Sequence, residues 1–118
     1  MMELEDSIVH FAARCVKVCA TLPTKGVGST NFADQLFRSS TSIAANYAEA
    51  CEAESARDFV HKLKIAMKEL SETRIWLKLI GEAGYIENAK LADLIGESKE
   101  LSRILSASVT TTKKKIGG

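Results

Sequence analysis

One stretch of this 118-residue chain carries polar side chains where a helix should face a core. On a helical wheel they fall within a sector of about 100° that adjoins an apolar stripe. They are Gln35, Arg38, Ser39, Ser42, Asn46 and Glu49. Because a buried polar group without a partner costs about 1–3 kcal/mol, this sector predicts an internal polar network or a surface that meets a ligand or partner. In a network, Arg38 could pair with Glu49 or with Glu72 on the next helix.

A second group of residues has the chemistry to attract phosphate. Four bases lie within about 60° of one another on the wheel, opposite an apolar stripe. They are Arg57, His61, Lys64 and Lys68, and the C-terminus adds Lys113, Lys114 and Lys115. A charged helix face is often only a solvated one. Displayed by several copies around a ring, however, these bases would add up to one phosphate-attracting surface.

The motifs that usually carry catalysis are missing from this sequence. It holds no nucleophile elbow, no HExxH pair and no glycine-rich phosphate loop. Cys15 and Cys19 lie four residues apart on one helix face, but no nearby ligand completes a tetrahedral metal site. His10 and His61 are isolated. We therefore predict a non-enzyme with no catalytic residue, no metal and no cofactor.

Composition sets the class of protein. Of the residues, 46% are hydrophobic, and sixteen Lys and Arg balance fifteen Asp and Glu for a net charge of +1. This content predicts one compact domain and excludes a disordered chain or a polycation. Residues 1–6 carry three acids and no base, the reverse of a signal peptide. No run approaches the roughly 20 apolar residues that span a bilayer. We expect a cytoplasmic protein without membrane contact.

Hydrophobic periodicity predicts four amphipathic helices. The first covers residues 4–22 and ends before Pro23. The second starts near Asn31 as an N-cap, and the third starts after Ser55 and ends at Gly84. The fourth follows Asn88. Each helix has an inward stripe with spacings of three and four residues, and no stretch alternates as a strand would.

Short connections between long helices favour antiparallel neighbours. We therefore predict an all-α fold, a single-domain antiparallel up-down-up-down four-helix bundle over residues 1–109. Residues 110–118 should form a basic, flexible C-terminal tail, since they are polar and terminal.

The second and third helices resemble a known family, the four helix bundle protein family, also called the 23S rRNA intervening-sequence protein family. Its signature is a Gln, an Arg three residues later, a Ser four further, an Asn four further and a Glu three further. All five are present, as Gln35, Arg38, Ser42, Asn46 and Glu49. Agreement extends to Pro23, Phe59, Leu63, Ala66, Glu72, Leu77 and the run Gly84-Tyr85-Ile86. Ala50 departs from the glycine that often follows the signature, and the Lys68-Glu69 region replaces a small residue.

The resemblance implies a four-helix bundle that assembles into a ring-shaped homopentamer. Many members are encoded within intervening sequences of bacterial 23S rRNA genes. The accessory variability determinant of diversity-generating retroelements is similar in fold, is pentameric, and binds nucleic acid and a reverse transcriptase. Two function classes follow: an oligomer that contacts RNA or DNA through its basic face, or a scaffold that binds another protein. In either case the polar sector should lie in the bundle seam or in the contact between subunits.

Overall fold

Residues 2–117, which a computed structural model describes, form four α-helices and no strand. The helices are α1 (Leu4–Thr21), α2 (Val27–Cys51), α3 (Ala56–Glu82) and α4 (Asn88–Ile116). Two ion pairs show that α2 and α3 are antiparallel. Arg38 contacts Glu72, whereas Glu49, which lies later in α2, contacts Lys62, which lies earlier in α3. Contacts link α1 to α2, α2 to α3, α3 to α4 and α4 back to α1. The predicted all-α, antiparallel four-helix bundle is confirmed.

The core is formed by the inward stripes that periodicity predicted. Its largest fully buried side chains are Ile8, Phe11, Leu36, Ile43, Leu63, Leu70, Leu77, Ile80, Leu91 and Leu105. Burying each one stabilises the fold by about 1.5–3 kcal/mol relative to exposure. Ser39 and Thr73 also lie in this interior, where the Ser39 Oγ and Thr73 Oγ1 atoms are 2.9 Å apart. The polar pair is therefore satisfied inside the α2–α3 seam.

Both predicted ends of α3 are set by local chemistry. The Ser55 Oγ accepts a hydrogen bond of 3.0 Å from the backbone N–H of Asp58, which satisfies a free donor of the first turn. At the other end Gly84 adopts a φ of +84°, and the Tyr85 N–H donates to the Ile80 carbonyl. That pattern closes a helix and favours glycine at the left-handed position. The predicted cap at Ser55 and stop at Gly84 are confirmed.

The start of α2 differs from the prediction of Asn31 as an N-cap. The helix begins four residues earlier, at Val27, and the Asn31 side chain donates to the Val27 carbonyl from within it. Gly28 lies inside the helix and against Tyr85: a Cβ at Gly28 would sit 2.8 Å from the Tyr85 hydroxyl oxygen. In the sequence, Gly28 suggested a loop. In the structure, its lack of a side chain lets α2 approach Tyr85 closely.

The C-terminal segment also differs from the tail expected over residues 110–118. Helix α4 continues to Ile116, so its described part is helical; Gly118, like Met1, lies outside the described residues. Val109 is buried, and the three lysines in the last turn complement the negative end of the helix dipole. Within the described chain, neither this long helix nor any other is apolar enough to cross a bilayer.

Candidate nucleic-acid interface

Two acids of helix α3 pair with an arginine of α2. Glu69 and Glu72 face α2, where Arg38 bridges them: its Nη1 lies 2.9 Å from the Glu69 Oε2, and its Nη2 contacts the Glu72 Oε2. The Trp76 Nε1 donates to the same Glu72 carboxylate at 3.1 Å. On the α2 side of α3, one arginine therefore offsets one of the two negative charges. Lys68 lies one turn before Glu72 on the same helix, so the bases of α3 border this acidic pair.

One basic side chain of α3 also turns toward α2. The Lys62 Nζ lies 2.9 Å from the Glu49 Oε1, and this hydrogen bond raises the pKa of the Lys62 ammonium. Glu49 therefore pairs with Lys62, and Arg38 with Glu72. Of the two pairings for Arg38 that the sequence allowed, the structure contains the one between helices.

On the other side of α3, two basic segments that are far apart in sequence come together. Lys113 of α4 lies beside Lys64 of α3, and the repulsion between these like charges lowers the pKa of the Lys64 ammonium. Arg57 lines a surface depression with Lys113 and Ile116. The end of α4 therefore extends the basic face of α3.

Three shallow depressions follow one another along α3 and its border with α4. Arg57 and Lys113 line the first, Lys64 and Lys68 the second, and Lys78 and Lys99 the third. We call this surface the basic groove; its cations are Arg57, Lys64, Lys68, Arg74, Lys78, Lys99 and Lys113. Glu82 lines its far end. At 1.5 Å per residue, the groove is about 38 Å long.

Arg74 anchors the middle of the basic groove. Its Nε donates to the Ser98 Oγ at 2.8 Å, and its Nη2 donates to the Ser98 carbonyl at 3.1 Å and the Ser102 Oγ at 2.7 Å. No carboxylate pairs with Arg74 within the described residues. These bonds hold the guanidinium in place between α3 and α4 while its charge remains uncompensated.

The other predicted bases lie outside the groove lining. His61, Lys114 and Lys115 are solvent-exposed at the same end of the bundle. The sequence reasoning missed Arg74, Lys78 and Lys99 as site residues. Lys78 follows Lys64 by two heptads, a spacing that places both on one side of α3. Lys99 had no such signal, since its position depends on the register of α4 against α3.

The polar sector of α2 lies mainly along the seam with α3. The Arg38 Nε donates to the Gln35 Oε1 at 3.3 Å. The Asn46 Nδ2 donates to the Ser42 carbonyl at 2.9 Å and lies 3.0 Å from the Ser42 Oγ. Together with the pairs of Arg38 and Glu49, these bonds give the five signature residues partners inside one subunit. A role in a subunit contact stays a prediction.

Replacing Arg38 by alanine should lower the free energy of unfolding by about 1 kcal/mol, because Glu69 and Glu72 lose the cation between them. Urea denaturation measures this change. Arg103→Ala is a matched control, since Arg103 contacts only Glu100 one turn away and both are largely exposed; we expect at most a few tenths of a kcal/mol. Equal effects of the two substitutions would contradict a seam role for Arg38.

The three cysteines differ in exposure and should differ in reactivity. Cys51 is exposed, whereas Cys15 is fully buried, and burial raises the pKa of the Cys15 thiol to about 12. The Cys19 thiol is half-buried and contacts the Ala33 carbonyl at 3.4 Å. Within the described residues, no three His, Cys, Asp or Glu side chains gather as a metal site would require.

Since only the thiolate reacts, an aromatic disulfide reagent should label Cys51 first and Cys15 only after unfolding. A time course at pH 8 with and without denaturant measures the order. A Cys51→Ser variant should lose the fast phase. Rapid labelling of Cys15 in the folded protein would contradict the packing of α1 against the core.

Comparisons with known proteins agree with this fold. Residues 3–107 match the family described as 23S rRNA-intervening sequence protein. A crystal structure of a protein of unknown function from the S23 ribosomal protein family of Bacteroides thetaiotaomicron VPI-5482 is similar, with 34% identity and a TM-score of 0.82. The alignment covers 91% of this chain and 98% of that one. No curated protein matches the chain. This chain therefore belongs to the 23S rRNA-intervening sequence protein family.

Proposed function

We propose that this protein is a non-enzymatic, nucleic-acid-binding protein whose basic groove contacts the phosphate backbone of RNA or DNA. The observation that carries the proposal is the convergence of α3 and α4, which brings Lys113 beside Lys64 and lines three successive depressions with cations. Arg38 of α2 pairs with Glu69 and Glu72 of α3, which offsets part of the negative charge near the groove.

The dimensions of the groove suit a nucleic-acid backbone. Its length of about 38 Å is close to one turn of a duplex, about 34–36 Å. Lysines at this surface would release condensed counterions when they meet phosphates, which is the main source of sequence-independent affinity. A phosphate between Lys64 and Lys113 would also relieve the repulsion that lowers the pKa of Lys64. The groove thus favours contact with backbone over readout of bases.

The proposal includes self-association into a ring-shaped homopentamer. Its support is the family resemblance, together with half-exposed apolar side chains such as Val9, Phe37 and Ile75. Five copies in a ring would carry five basic grooves. Since each groove adds contacts to the same nucleic acid, the assembled surface would bind far more tightly than one subunit.

Salt-titrated binding to the purified protein tests this function. Labelled duplex RNA, duplex DNA and single strands of equal length are titrated at several salt concentrations. If about five phosphates are contacted, the slope of log K against log salt should be about −4 to −5 for a duplex. Absence of binding at low salt, or an affinity independent of salt, would overturn the proposal and favour a scaffold that binds another protein.

A further inference from the structure

The guanidinium of Arg74 is ordered by hydrogen bonds to neutral groups of α4. Its Nε and Nη2 donate to the Ser98 Oγ, the Ser98 carbonyl and the Ser102 Oγ, at 2.8, 3.1 and 2.7 Å. Ser98 is fully buried, and Arg74 and Ser102 are half-buried. Lys78 and Lys99, by contrast, are exposed. Arg74 is therefore a cation whose position is fixed before a ligand arrives.

This guanidinium keeps donors that the protein does not use. An arginine has five N–H donors, and two of them belong to Nη1. Within the described residues, the Nη1 of Arg74 has no hydrogen-bond partner, and no buried side-chain nitrogen or oxygen lacks one. The Nη1 atom therefore lies at the surface, where its two N–H groups can meet a ligand from solvent.

The hydroxyl of Ser102 adds a donor next to the same guanidinium. Its Oγ accepts an N–H of Arg74 at 2.7 Å, which leaves the hydroxyl proton for another acceptor. Ser98 differs, because its hydroxyl already donates to the Ile95 carbonyl at 2.6 Å. Arg74 and Ser102 thus combine one positive charge with N–H and O–H donors. We call these two residues the Arg74 site.

The surroundings of the Arg74 site are mainly positive. No carboxylate pairs with Arg74 within the described residues. Lys78 lies one turn later on α3, and it lines a depression together with Lys99 of α4. Glu82, the acid of that depression, follows Arg74 by two turns. A half-buried cation that bonds only to neutral groups favours an anion at its surface nitrogen.

We propose that Arg74 and Ser102 bind the oxygens of a phosphate group and fix its place along the basic groove. Phosphate oxygens accept charge-assisted hydrogen bonds from arginine. The exposed lysines of the groove are point charges on flexible stems, and they can follow a phosphate over several positions. Arg74 is already ordered, so it loses little conformational entropy on binding. The proposed function supplies the phosphate, from a nucleic-acid backbone; free phosphate has the same chemistry.

Arg74→Gln tests the site in nucleic-acid binding. Loss of one phosphate contact should weaken duplex binding by about 10-fold and make the slope of log K against log salt shallower by about 1. Lys25→Gln removes the same charge outside the groove and should change neither quantity. Circular dichroism checks the fold of both variants. If the wild type binds with a steep salt dependence and the two variants behave alike, the Arg74 site is overturned and the proposed function stands.

Ser102→Ala is a milder variant that keeps the net charge. It removes the hydroxyl donor and one bond that orders Arg74, so duplex binding should weaken by about 3- to 10-fold. Ser108→Ala is the matched control, since Ser108 lies on the same helix about 120° away on the helical wheel. A purely structural role would lower the stability of Ser102→Ala without changing the affinity of the folded protein, and that result would remove Ser102 from the site.

Inorganic phosphate separates the Arg74 site from the proposed function. Added to isotope-labelled wild-type protein, it should shift the nuclear magnetic resonance signal of the Arg74 Nε–H, which is identified by its absence from Arg74→Gln. Sodium chloride at equal ionic strength should not shift it. A saturable shift in a protein that binds no nucleic acid would support the phosphate site and overturn the proposed function. The lack of a shift, together with unchanged duplex binding by Arg74→Gln, would overturn the site.

Discussion

Replacing both Lys64 and Lys113 by glutamate should weaken binding to duplex RNA or DNA by about 10- to 100-fold at moderate salt. The two ammonium groups lie beside each other although 49 positions separate them in sequence. Reversing both charges removes two phosphate contacts and places repulsive carboxylates in the groove. The slope of log K against log salt should therefore become shallower by about 2. Fluorescence anisotropy at several salt concentrations measures both quantities.

A control variant separates the groove from overall charge. Lys17→Glu with Lys25→Glu changes the net charge by the same amount, but both lysines are exposed on or beside α1, away from the groove. This double variant should bind within about threefold of wild type, because distant charges are screened beyond about 10 Å. Equal losses in the two double variants would indicate a diffuse charge effect and count against the basic groove.

The sequence was sufficient to predict the features that depend on neighbours along the chain. The stripe from Leu63 to Leu77, the cap at Ser55 and the stop at Gly84 each follow from local spacing or local backbone geometry. The early start of α2 could not be predicted in this way. Gly28 in its first turn lies against Tyr85, a contact between segments far apart in sequence.

The candidate site was only partly predictable for the same reason. Helical wheels placed Lys64 and Lys68 on one side of α3, but they carry no information about which α4 residues lie opposite. Lys113 beside Lys64, and Lys99 beside Lys78, depend on the register between α3 and α4. Likewise, spacing alone left Arg38 with two possible partners. Its pairing with Glu72 follows from the register between α2 and α3.

A net charge of +1 is compatible with a strongly basic surface because the bundle separates its charges. Glu69 and Glu72 are held by Arg38 at the α2–α3 seam, and Asp93 and Glu97 by Arg14 between α1 and α4. Each arginine offsets one of the two negative charges that it contacts. Composition therefore excludes a polycation, but it does not exclude a groove whose local charge is high.

Ile80→Ala should lower the free energy of unfolding by about 2–5 kcal/mol. Ile80 is fully buried near the end of α3, and its carbonyl accepts the N–H of Tyr85 at the turn into α4. Alanine leaves a cavity that the surrounding helices can only partly fill. The free energy of unfolding of a small domain is about 5–15 kcal/mol, so this substitution would remove a large fraction of it. Urea denaturation at fixed protein concentration measures it.

Ile104→Ala is the matched control, since an isoleucine side chain that is 39% exposed on α4 should cost less than about 1 kcal/mol when it is removed.

The Ile80→Ala variant also separates the effect of packing from the effect of charge. If nucleic acid is held by the cations of the basic groove, Ile80→Ala should bind duplex within about threefold of wild type at temperatures where it stays folded. The Lys64 and Lys113 double variant should show the opposite behaviour, with weakened binding and nearly unchanged stability, because both side chains are exposed. A large loss of binding in folded Ile80→Ala would instead mean that affinity depends on the exact spacing of α3 and α4, and therefore on geometry beyond the charge of the groove.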